Sequence, residues 1–179
     1  TVERVAVWLL KTQDPSGGFG YQGNVSNSFA PVKQSNVRHS MAAAGLGSVY
    51  MCGDMLGLVV RSDEEDDGLP PALKEVKERD PDKKGPEPKT QLDSRLFRDV
   101  QGRGNRWFTL NYQIAPKQWT HYYLYALERY MSFRALAEGK VGDRAEKEPK
   151  WYNDGVRYLI ATQEENGSWE GQAKVVADT

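Results

Sequence analysis

Two stretches near opposite ends of the 179-residue chain carry nearly the same text: WLLKTQDPSGGFG from Trp8 to Gly20, and YLIATQEENGSWEG from Tyr158 to Gly171. With Gln13 set against Gln163, Ala6, Leu9 and Leu10 fall on Val156, Leu159 and Ile160. The spacing i, i+3, i+4, i+7 is that of one helix face. Each run passes into a turn signal, DPSGG or EENGS, after which Gly17 matches Gly167 and Phe19 matches Trp169. Both ends are therefore expected to hold an amphipathic helix, a glutamine in its last turn, a glycine turn and an aromatic plug. A chain that repeats a helix-and-turn unit is confined to architectures that stack such units.

A weaker third copy, RGNRWFTLNY from Arg103 to Tyr112, sets Trp107 in the place of Trp8 and Tyr158. Tyr112 then takes the glutamine place and Pro116 the glycine place. From Trp107 to Tyr158 is 51 residues, but from Trp8 to Trp107 is 99, so the first interval holds an insertion. Residues 61–92 supply it, rich in charge and proline and poor in aromatics. Such a segment buries too little apolar surface to offset its ordering entropy. A short helix over 71–78, with prolines in its first turn, is the one element expected there. Between the copies run two further helical patterns. Asn36 to Val60 is almost uncharged, so burial on most sides is expected. Lys117 to Gly139 ends on a glycine suited to a C-cap.

The third copy places Gly155, Tyr158, Leu159, Gln163, Gly167 and Trp169 in one register, the first Trp8, Leu9, Gln13, Gly17 and Phe19, and the middle Arg103, Gly104 and Trp107. This pattern resembles the glutamine–tryptophan repeat of squalene and other terpenoid cyclases and of protein prenyltransferase β subunits. It is also similar to the repeat regions of large uncharacterised bacterial proteins. The resemblance covers most of the chain outside the insertion and implies an all-α fold, an α/α toroid. Outer helices are then expected at 2–13, 93–109 and 152–163, and inner helices at 38–60 and 118–138. The repeat glutamines and aromatics are implied to be structural fasteners between neighbouring helices. Residues 1–179 would form a single partial toroid of about two and a half hairpins, incomplete and part of a longer polypeptide. The opening Thr1 leaves room for a removed leader, so localisation stays open.

The chemistry of the family finds little purchase. A cyclase protonates its substrate from a D-x-D-D motif. The nearest match here, Asp63 to Asp67, begins the polar insertion, where a solvated run is the plainer reading. A prenyltransferase holds zinc with Asp, Cys and His. Cys52 and Asp54 occur in the reverse order, and a small packing cysteine is the plainer reading. His39 and His121 both start inner helices, with Asp178 at the matching place in the next unit. They are either a polar cavity rim or two histidines satisfied by local partners. Trp119, Tyr122, Tyr123, Tyr125 and Tyr130 crowd one helix, as core or as cavity lining. Tyr122, Tyr125 and Arg129 follow one stripe. The expectation is that they border one concave surface with His121 and His39, able to take a flat or carboxylated group.

A net charge of −1 gives no field that attracts nucleic acid, and no apolar run reaches transmembrane length. The single cysteine permits no internal disulfide. No catalytic residue, metal or cofactor is assigned. The expected function is a non-catalytic repeat module for binding or assembly. Its partners would be further copies, remaining repeats of a longer chain, or a protein, peptide or glycan. The alternative is a terpenoid-cyclase-like or prenyltransferase-like enzyme fragment acting on an isoprenoid.

Overall fold

The computed structural model describes residues 1–58, 89–140, 142 and 145–169. These form five α-helices and no strand: α1 (Val2–Leu10), α2 (His39–Met55), α3 (Ser94–Asn111), α4 (Thr120–Ala137) and α5 (Lys150–Thr162). The acidic run 63–67, the short helix expected over 71–78 and Asp178 lie outside the described residues.

α2 is the axis of the fold. Its small residues let neighbours approach on several sides, and nine of its seventeen side chains or glycines are buried. Gly47 is the close point with α4, since a Cβ there would lie 3.3 Å from the Tyr130 backbone. Gly45 accommodates the Phe19 ring, which a Cβ would meet at 2.5 Å. Leu46, Val49, Tyr50, Phe108, Tyr123, Leu127 and Tyr130 build the core around these contacts. α1 and α3 pack against α2, which places both repeat helices beside one central element.

Helix ends depart from the sequence expectation in two ways. α2 stops at Met55 rather than Val60, because Gly57 adopts φ +70° and closes a Schellman cap. Its N–H donates to Asp54 O, and the Leu58 N–H to Gly53 O at 2.9 Å. The same cap ends α4, where Gly139 (φ +67°) follows Glu138 and the Lys140 N–H reaches Ala135 O at 2.8 Å. The other departure is at α1 and α5, which end at Leu10 and Thr162. Gln13 and Gln163 therefore stand beyond the helix, not in its last turn. Their side chains close the following loop instead.

Candidate functional site

Gln13 has no exposed surface. Its Nε2 donates to Gly17 O and to Val100 O of α3, both at 2.9 Å, while its Oε1 accepts from Arg103 Nε at 2.8 Å. Gly17 sits at φ +100°, and a Cβ on it would overlap the Arg103 carbonyl. Phe19 pairs with Gln13 through an isolated antiparallel bridge and is buried. So this turn fastens α1 to α3. The sequence reading found the glutamine but missed Arg103 as its partner.

Asp14 extends the fastener into the following loop. Its Oδ2 accepts from the Gln34 N–H at 2.8 Å and its Oδ1 from the Ser16 N–H at 2.9 Å. Burial opposes its ionisation, yet these bonds, with Lys33 nearby, hold the carboxyl below its ordinary range. Gln34 in turn ties Asn24 from both sides, accepting from its N–H at 2.7 Å and donating to its carbonyl at 2.8 Å.

The last copy repeats the turn. Gln163 Nε2 donates to Gly167 O at 2.9 Å, the Glu164 N–H donates to Ser168 O, and Gly167 sits at φ +85°. Here Gln163 and Gly167 are exposed, and Trp169 is half-buried, donating from Nε1 to Leu159 O at 2.8 Å. The aromatic anchors also diverge. Trp107 is buried against the Gly18 region, Tyr158 is half-buried, and Trp8 is 47% exposed. The three equivalent aromatics thus differ in burial, while the plug position after the turn holds the buried Phe19 in the first copy.

The tyrosine-rich helix α4 divides by face. Tyr123 and Tyr130 are fully buried: Tyr123 Oη donates to Gln113 O at 2.9 Å and Tyr130 Oη to Asn105 Oδ1 at 2.8 Å. Burial pushes the Tyr130 phenol up to about 12. Tyr122, Tyr125 and Arg129 instead line a groove of about 340 Å3 between α2 and α4. Its floor is Ala43, Gly47 and Ala126, and Met51 and Phe133 flank it. The Arg129 guanidinium lies over the Tyr125 ring, 4.7 Å from its centroid. Arg129 makes no ion pair among the described residues.

The two histidines do not join this groove. His39 Nε2 donates to Asn111 O at 2.7 Å, the last carbonyl of α3, and its ring stands edge-on to Trp107 and Tyr123. That is a C-terminal helix cap. His121 lies beside the Tyr158 ring of α5, centroids 6.4 Å apart, and its Nε2 is shielded without a hydrogen-bond partner among the described residues. Of the rim expected for Tyr122, Tyr125, His121 and His39, the groove lining among the described residues carries the two tyrosines, together with Arg129. Sequence periodicity carries no information on where α3 and α5 meet these imidazoles.

A second cavity, about 310 Å3, opens between α3, α4 and α5. Arg134 and Lys140 both bind Glu138, at 2.6 and 2.7 Å, and Lys150 binds Asp154. Cys52 is buried, which pushes its thiol up, as a packing residue requires. Among the described residues no three His, Cys, Asp or Glu side chains converge as a metal cluster, and no helix is long and apolar enough to cross a membrane. Comparison with protein-family models, with curated proteins and with solved structures finds no match to this chain.

Proposed function

We propose that this chain is a non-catalytic helical-repeat module, arranged as part of an α/α toroid, that binds and assembles. The observation that carries this reading is the α2–α4 groove. It sets a guanidinium that makes no ion pair among the described residues, and two exposed tyrosines, above a floor of small apolar residues. A guanidinium held on an aromatic face offers its N–H groups to a carboxylate, and the floor accepts a flat apolar group. Among the described residues the groove lining carries no carboxylate, thiol or imidazole, and its Arg129 and tyrosines suit holding such a ligand. The simplest ligand of this chemistry is a peptide ending in an aromatic or aliphatic residue with a free carboxylate.

Fluorescence anisotropy with such peptides, as free acids and as amides, tests the reading. The acid binds more tightly than the amide. Arg129→Ala lowers its affinity by about tenfold or more. Tyr125→Ala weakens both forms. Each variant keeps the wild-type melting curve to within about 0.5 kcal/mol, because both side chains are exposed. Equal binding of acid and amide would overturn the assignment. So would product formed from a squalene-type precursor, or from a prenyl diphosphate supplied with zinc.

A further inference from the structure

The Gln13 turn is one half of a junction whose rule is written twice in this molecule. At the first junction, Gln13 of the α1 unit meets Arg103 of α3. At the second, Tyr112 at the end of α3 meets Asp154 of α5, its hydroxyl donating to Oδ2 at 2.8 Å. Tyr112 stands at the place of Gln13 in the repeat, and Asp154 stands at the place of Arg103. The same pair of positions is bonded both times, with donor and acceptor exchanged.

Among the described residues, one half of each kind has no such partner. At the far end, Gln163 and Gly167 form the turn again, but both are exposed, and among the described residues a Cβ on Gly167 would approach only Gln163's own Nε2, at 3.9 Å. At the near end, the repeat puts Arg4 of α1 in the place of Arg103, with Val5 and Trp8 in the places of Gly104 and Trp107. In α3 these places are the buried surface gripped by the Gln13 turn. In α1 they are open: Arg4 is exposed with no ion pair among the described residues, Val5 is 50% exposed and Trp8 47%. A glutamine socket meets a guanidinium at the first junction, and among the described residues a second glutamine socket and a second guanidinium stand exposed.

We propose that copies of this chain associate head to tail, the Gln163–Gly167 turn of one copy seating on the Arg4–Val5–Trp8 face of α1 in the next. The contact continues the intrachain junction across a chain boundary, and it deepens the assembly half of the reading above. The contact joins two different surfaces, so as a heterologous contact it generates a ring or a filament.

Complementation between two variants tests it. Arg4→Glu disables the α1 face but keeps the socket; acid in a first helical turn suits the helix dipole, so α1 itself is not weakened. Gln163→Ala disables the socket but keeps the α1 face. By sedimentation velocity over a concentration series, the wild-type mass grows with concentration. Each variant alone associates at least about tenfold more weakly. An equimolar mixture recovers a one-to-one dimer and nothing larger. At concentrations where the wild type is monomeric, circular dichroism spectra of all three proteins coincide, Gln163→Ala giving up only its exposed turn bond to Gly167 O. A monomeric wild type, association that both variants retain, or a mixture that stays monomeric would each overturn the proposal. Neither residue lines the α2–α4 groove, so carboxylate-peptide binding is unchanged in both variants, and failure here is separable from failure there.

Discussion

Asp14 shows how one side chain converts a turn into a load point. Two backbone N–H groups converge on its carboxylate, and Lys33 adds a weak exposed charge at 3.7 Å. Its native carboxyl is depressed relative to an unfolded value of about 3.9. The stabilisation it supplies is thus complete above the unfolded value and is lost as pH falls through the native one. Asp14→Asn keeps one acceptor and turns an amide toward the other N–H, at a cost of about 1–3 kcal/mol near neutral pH. The deficit should shrink as both proteins are taken below about pH 4, where the aspartate also protonates. Urea midpoints of the two proteins, compared across pH, check this; a deficit constant from neutral to acid would show that the charge contributes nothing. The residue scale is also where the sequence was hardest to read. Arg103 belongs to the repeat pattern while Gln34 and Asp154 have no motif, and the roles of all three come from partners 90, 10 and 42 positions away.

At the level of elements, the sequence was legible wherever one period governs a whole helix. All five helices were expected, and the stripe of Tyr122, Tyr125 and Arg129 followed from spacing alone because one face of α4 carries it into one groove. Helix ends were less legible, since they depend on cap geometry that hydrophobic periodicity does not encode. The matched turns Gln13–Gly17 and Gln163–Gly167 allow that geometry to be separated from packing. Both glycines occupy the left-handed region, so Gly167→Ala carries mainly the conformational cost, about 1–2 kcal/mol. Gly17→Ala carries the same cost and also drives a methyl group into the Arg103 backbone, which cannot swing aside as a side chain could. Its total should reach about 3–5 kcal/mol. Equal losses in thermal denaturation would mean that the α1–α3 junction gives way freely and that the fastener is only a turn.

Across the whole molecule, burial is distributed unevenly along the repeat. α2 and α4 share the core, and α1 and α3 flank α2, while α5 has no buried side chain. It is held by the Tyr112–Asp154 bond, by Trp151 against the core and by the ring contact of Tyr158 with His121. Its outer surface leaves Ile160 72% exposed and Tyr152 56% exposed. A 13-residue helix is marginal by itself in water, so α5 depends on these few ties. Cooperative units with little buried apolar surface open at free energies below that of global unfolding. Amide hydrogen exchange at low protein concentration should therefore place α5 in a separate, less protected class. The central amides of α2 and α4 should exchange only through the global transition. Head-to-tail seating adds the next copy's α1 to the Gln163 turn, so raising the concentration should slow exchange in α5 selectively, leaving α2 and α4 as they were. Arg4→Glu should abolish that concentration dependence while keeping the low-concentration pattern. If α5 is as protected as α2 in the dilute monomer, its stability has a source other than the repeat junctions, and the uneven array described here is not how this molecule is held together.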